Sequence, residues 1–145
     1  MITPYRLILV DDHYVVRMGM ASSLNLEPDF IVVDEAENGA EALAKYAEHE
    51  PDLMIMDWRL PDQNGGEVIR KIRASFPDAK LLVLSAFESE ETIFQAVQSG
   101  AIGYLSKSSR RPELVQAIRL AAQGKPAFSG STVNKLATRM QRPSL

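Results

Sequence analysis

Several short apolar runs along the chain each lead to a polar residue with chemical potential. RLILV stops at Asp11 and Asp12, LMIM at Asp57, KLLVL at Ser85, and AIGYL passes through Ser106 to Lys107. Continuous apolar runs of this length predict strands buried on both faces, as in a parallel sheet covered by helices. The strands fall at residues 6–10, 31–35, 53–57, 81–85 and 102–105. Between them the apolar period lengthens to that of a helix. Val16, Met20 and Leu24 repeat at four-residue spacing within a helix from His13 to about Leu26.

The breaks carry turn and cap signals. Asn38-Gly39 turns the chain into the helix AEALAKYAEH, which Pro51 ends. The loop WRLPDQNGG precedes the helix EVIRKIRASF, and Pro77-Asp78 follows it. Glu90 and Glu91 favour a helix start after Ser89, with Gly100 as its C-cap. Pro112 opens the helix that runs to about Gln123. Five strands alternating with five helices predict a doubly wound α/β domain over residues 1–123. The tail 124–145 is poorer in long apolar residues and carries four basic side chains and no acids. It reads as a linker segment with one short helix near 131–140.

Parallel strands would bring Asp11, Asp12, Asp57, Ser85 and Lys107 to one edge of the sheet, the carboxyl edge where such folds bind ligands. Adjacent acids repel unless something neutralises them, and Mg²⁺ does so with hard oxygen ligands. The plainer reading of either acid is a helix N-cap. Asp57 could be a nucleophile toward phosphorus or simply a third metal ligand. Lys107 offers a compact cation for a phosphate oxygen and Ser85 a rotatable hydroxyl. Taken alone, each would be an ordinary surface lysine and strand-end serine. His13 and His49 are singletons and read as surface or helix residues, not ligands. Tyr104, three residues before Lys107, reads by itself as a half-buried sheet aromatic.

Bulk composition narrows the field. A chain of 145 residues with 46% hydrophobic content suits one self-supporting domain. The absence of cysteine excludes thiol chemistry and cysteine metal sites. Sixteen basic against 19 acidic residues give a net charge of -3, no basis for holding nucleic acid unaided. No apolar stretch spans a membrane and the N-terminus is no signal peptide, so a cytoplasmic location is the expectation.

These motifs together resemble the receiver domain of two-component response regulators over about residues 5–123: DD at 11–12, MDWRLPDQNGG around Asp57, LSA at 84–86, and YLSK at 104–107. The 22-residue step from Ser85 to Lys107, with Tyr104 between, fits that pattern. VDDHYVVRMGM and LVQAIRLAAQGKPAFSGSTVNKLATRM are similar to the NarL/FixJ subfamily of transcription factors. The resemblance implies a flavodoxin-like (βα)5 sheet in the order 2-1-3-4-5. It implies that Asp57 accepts a phosphoryl group from a sensor histidine kinase. Asp11, Asp12 or both would hold Mg²⁺ with Asp57 and the backbone carbonyl of Arg59. Ser85 and Lys107 would contact the phosphoryl group, and Tyr104 would rotate inward as Ser85 shifts. Such a domain is a signalling phosphoacceptor, not an enzyme acting on a separate substrate. Its output would be altered dimerisation, as a phosphorylation-dependent homodimer, or release of a DNA-binding domain, with DNA reached only through a C-terminal helix-turn-helix domain that is missing from this sequence.

Two departures from the family pattern stand out. Ser108 follows Lys107 where many receivers have proline and a cis bond, and a cis bond without proline costs about 3 kcal/mol. Arg59 and Phe87, two residues after Asp57 and Ser85, are bulky for positions that border the pocket. The enzymatic rival is an aspartate-nucleophile phosphatase of the haloacid-dehalogenase type. It needs an acid two residues after the nucleophile, where this chain has Arg59. A second rival is a receiver-like binding module that is never phosphorylated, against which the complete acid set counts.

Overall fold

The structure is a computed structural model and describes residues 3–86 and 89–141. Strands β1 (Tyr5–Val10), β2 (Phe30–Ala36), β3 (Leu53–Asp57), β4 (Leu81–Ser85) and β5 (Gly103–Ser106) alternate with helices α1 (Tyr14–Leu24), α2 (Gly39–His49), α3 (Gly65–Ser75), α4 (Glu90–Ser99) and α5 (Arg111–Ala122). A short strand β6 (Ala127–Phe128) and a helix α6 (Gly130–Met140) follow. All strand pairs are parallel, in the order β2-β1-β3-β4-β5-β6. The expected order 2-1-3-4-5 is thus extended by a sixth strand against β5, and the (βα)5 count by one strand and one helix.

Both faces of the central strands are buried, which is why their sequences show no alternation. Ile8, Val10, Met54, Met56, Leu81 and Val83 point to one side and pack with Ala42, Val68, Ile69, Ile72, Ile93 and Ala96 of α2, α3 and α4. Leu7, Leu9, Leu53, Ile55, Leu82 and Leu84 point to the other and pack with Leu24 of α1 and Val115, Ile118 and Ala121 of α5. Helix starts are fixed by side-chain caps. Asn38, Asn64, Ser89 and Ser129 accept from the backbone N–H groups of Glu41, Glu67, Thr92 and Thr132, each satisfying an otherwise unpaired donor.

β6 exists because Gly103 lets it approach. A Cβ at Gly103 would lie 2.4 Å from the carbonyl oxygen of Ala127, the residue paired with it. The Ala127 N–H donates to Ile102 O at 3.0 Å. α6 then packs on α4: Arg139 Nε donates to Glu91 Oε2 at 2.6 Å, and its guanidinium carbon lies 4.3 Å from the centre of the Phe94 ring. A further ionic cluster joins α5 to the α1–β2 connection. Arg119 donates to Asp29 through Nε at 2.6 Å and through Nη2 at 3.0 Å, and Arg119 and Arg111 both reach Glu27. Among the described residues no helix is long and apolar enough to cross a membrane.

Candidate functional site

The carboxyl ends of β1, β3, β4 and β5 converge as parallel strands must, so residues far apart in sequence share one cleft. Asp12, His13, Asp57, Arg59, Ser85 and Lys107 line it, with Leu60, Pro61 and Ala86. Lys107 Nζ donates to Asp11 Oδ2 at 2.7 Å and to Asp57 Oδ2 at 2.9 Å. The ammonium thus bridges the ends of β1 and β3 from beyond β5. Asp11 and Asp57 are buried and Asp12 is exposed.

Asp11 plays two parts at once. Its Oδ1 accepts the His13 backbone N–H at 2.8 Å, a turn that leads the chain into α1, while Oδ2 faces Lys107. Burial pushes its carboxyl up, but the hydrogen bonds from Lys107 and from the backbone and ring of His13, with the Lys107 charge, outweigh burial. They hold it below the ordinary aspartate value. For Lys107 burial pushes the ammonium down, and its bonds to Asp11 and Asp57 outweigh that and hold it above the ordinary lysine value.

Asp57 Oδ1 accepts the Arg59 N–H at 3.3 Å. Arg59 is exposed and pairs with Asn64 in an isolated antiparallel bridge that shapes the loop before α3. Gly65 N–H, donating to Trp58 O at 2.6 Å, closes that loop. Ser85 is 2% exposed, and its carbonyl accepts the Lys107 N–H at 2.8 Å, which fixes the distance between the β4 and β5 ends. No described peptide bond is cis, so Lys107–Ser108 is trans. The Ser108 N–H donates to Ser106 Oγ at 3.1 Å, a bond that proline could not make. Phe87 lies outside the described residues.

One sequence reading is corrected here. Tyr104 is fully buried, not half-buried. It pairs with Phe128, so β5 is an interior strand and not the sheet edge that a five-stranded reading makes it. His13 stands in the cleft: Nδ1 lies 2.9 Å from Asp11 Oδ1 and 3.1 Å from Asp12 Oδ1. Its only signal in the sequence is that it directly follows the acid pair. His49 is placed elsewhere, 2.9 Å from Asp34, where Lys45 also pairs with Asp34 at 3.2 Å.

The donor set fits a divalent cation. Asp11, Asp12, His13 and Asp57 each offer a ligand atom, and these atoms all lie within 4.8 Å of one another. Three carboxylates are the hard oxygen donors that Mg²⁺ takes, with open positions left for water or a phosphate.

A family model of the response regulator receiver domain matches residues 7–119. The transcriptional regulatory protein LiaR of Bacillus subtilis is 34% identical over 136 residues, covering 94% of this chain and 64% of the relative. The oxygen regulatory protein NreC of Staphylococcus epidermidis is 42% identical over 120 residues, covering 82% and 55%. This chain therefore spans somewhat less than two thirds of the length of these relatives. Among solved structures, a two-component response regulator of the LuxR family from Aurantimonas sp. SI85-9A1 superposes with a TM-score of 0.90 at 35% identity, covering 97% of this chain and all of that one. The signal receiver domain of the NarL response regulator from Mycobacterium tuberculosis gives 0.81 at 35% identity, covering 85% and 99%.

Proposed function

The chain belongs to the response regulator receiver domain family, among relatives of the NarL/LuxR type, and from that premise we propose that it is a phosphoacceptor whose charged residue is Asp57. A sensor histidine kinase supplies the phosphoryl group. An Asp57 carboxylate oxygen attacks phosphorus, the bond from phosphorus to the kinase imidazole breaks, and an aspartyl phosphate results. The supporting observation is the bridge from Lys107 Nζ to both Asp11 and Asp57, which gathers the ends of three strands around one small volume.

Asp11, Asp12, Asp57 and the backbone carbonyl of Arg59 would hold Mg²⁺, whose contribution when bound is to screen negative charge between nucleophile and phosphoryl oxygens. Lys107 has the charge and reach to turn from Asp57 Oδ2 toward an incoming phosphoryl oxygen. The Ser85 hydroxyl follows a second oxygen, and Tyr104 reports that move by exchanging between its buried position and an outward one. Arg59, two residues after Asp57, is a guanidinium, which does not release a proton to a leaving group, so the phosphatase reading has no support at that position.

Phosphorylation adds up to about two negative charges and three acceptor oxygens at the β3 end, enough to bias a two-state element. The face affected is α4, β5 and α5. Its output is altered self-association and, where such a receiver is joined to a helix-turn-helix domain, altered DNA binding. Incubation with acetyl phosphate and Mg²⁺ tests the reading. Intact mass should rise by one phosphoryl group in the wild type and not in Asp57→Asn, and undiminished labelling of Asp57→Asn would refute the assignment.

A further inference from the structure

His13 occupies the N-cap position of α1, yet its side chain makes no capping bond to the first turn of the helix. Ser, Thr, Asp and Asn serve that position best, so capping does not explain an imidazole there. The ring is also 65% exposed, so burial does not hold it in place either. What it does is bring one nitrogen to 2.9 Å from an Asp11 oxygen and 3.1 Å from an Asp12 oxygen. Two carboxylates converge on that nitrogen, and an Asp57 oxygen lies within the same 4.8 Å set.

We propose that His13 is a nitrogen ligand of the acidic pocket, so that the pocket binds borderline divalent metals such as Ni²⁺ and Zn²⁺ more tightly than Mg²⁺. The inference rests on the phosphoacceptor reading for the place of the metal and goes beyond it in naming a ligand and a selectivity. Nδ1 hydrogen-bonds Asp11; on binding a cation that proton would leave, and a neutral imidazole with its proton on Nε2 would present the Nδ1 lone pair to the ion. Mg²⁺ takes oxygen ligands and keeps its waters, so it has little use for that lone pair. Ni²⁺ and Zn²⁺ take imidazole readily and bind mixed nitrogen and oxygen sites more tightly. A three-carboxylate pocket already favours Ni²⁺ and Zn²⁺ over Mg²⁺ to some degree, and His13 widens that gap.

The competing role is positional: His13 merely holds Asp11 and Asp12 in place, in which case all ions depend on it equally. The other imidazole must first be silenced, because Asp34, Glu48 and His49 form a second group at ligand spacing. The experiment titrates the whole chain in a His49→Gln background with Mg²⁺, Ni²⁺ and Zn²⁺, by calorimetry and by fluorescence of Trp58. His13→Ala should weaken Ni²⁺ and Zn²⁺ by at least about tenfold, the lower end of what even outer partners of metal ligands are worth, and leave Mg²⁺ unchanged. His13→Gln keeps a hydrogen-bond donor near the acids and should lose the same selectivity. Equal weakening of all three ions, or full affinity in both variants, would overturn the proposal. Acetyl phosphate labelling of the same proteins separates the two readings. If Asp57 takes no phosphoryl group while the His13-dependent preference persists, the phosphoacceptor reading fails and this one stands.

Discussion

Arg139 Nε donates to Glu91 Oε2 at 2.6 Å and so fastens α6 to α4, the helix that begins five residues after the end of β4. The same guanidinium lies over Phe94, one helical turn on, and combines a charge pair with a cation–π contact. Helix α6 thus sits on the face that phosphorylation of Asp57 is proposed to alter. Any movement of α4 must either carry α6 with it or break this contact. Hydrogen exchange should therefore change together in residues 90–99 and 130–140 when acetyl phosphate and Mg²⁺ are added to the wild type. Asp57→Asn should show neither change. Arg139→Ala should speed exchange in 130–140 alone and leave phosphoryl uptake on Asp57 intact.

Gly103 controls whether β6 can form. An added Cβ meets Ala127 O at 2.4 Å, Leu82 Cδ1 at 2.6 Å and Ala127 Cβ at 2.9 Å, and the first of these is backbone that can yield only by moving the strand. Gly103→Ala should lower stability by about 1–3 kcal/mol, the usual range for overpacking. It should also expose the 127–140 segment to exchange, because β6 has only two residues to lose. Urea unfolding and segment-resolved exchange check the two parts. A variant as stable as wild type with β6 still protected would show that β5 and β6 have room to separate.

The strand ends were legible because a parallel sheet leaves little choice. Runs such as LMIM and LLVL are apolar at every position, which requires burial on both faces, and parallel strands bring Asp11, Asp57, Ser85 and Lys107 to one edge. β6 was not legible, since Ala127 and Phe128 form no run and the strand depends on the missing side chain of Gly103 opposite. Residue type alone reads Tyr104 as half-buried, and in the structure it lies in the buried cluster that Phe128 packs against. His13 was hidden for a different reason. A single imidazole carries no periodic signal, and only the rotamer that turns it toward Asp11 and Asp12 reveals its company.

Removing the Lys107 ammonium leaves Asp11 and Asp57, both buried, without the cation they share. Lys107→Met keeps much of the side-chain length and deletes the charge. It should lower stability by about 2 kcal/mol in a metal-chelating buffer, less than the 3–5 kcal/mol seen when a fully buried pair is broken, because the lysine is partly exposed. Added Mg²⁺ should restore part of that loss and restore less to the wild type, where Lys107 already neutralises the acids. Urea titrations of both proteins with and without the ion check this. A deficit that Mg²⁺ leaves untouched would mean that Lys107 matters through packing and not through charge.

Asp29 gives the fold a pH dependence separate from the cleft. The Arg119 guanidinium, donating to both carboxylate oxygens, holds Asp29 below the ordinary aspartate value against a smaller upward push from burial. A lowered folded-state value means the unfolded chain binds its proton first as pH falls, so the contribution is present above the unfolded value and lost as pH falls through the folded one. Both partners are partly exposed, so the pair is worth about 1 kcal/mol, the upper end for exposed ion pairs. Asp29→Asn should therefore be less stable than wild type at neutral pH by that amount. The gap should narrow steadily between about pH 5 and pH 2 and close once the carboxyl is protonated in both states. Unfolding in urea across that range measures it, and a gap that stays constant to the acid end would assign the loss to the geometry of the Arg119 contact instead of the charge on Asp29.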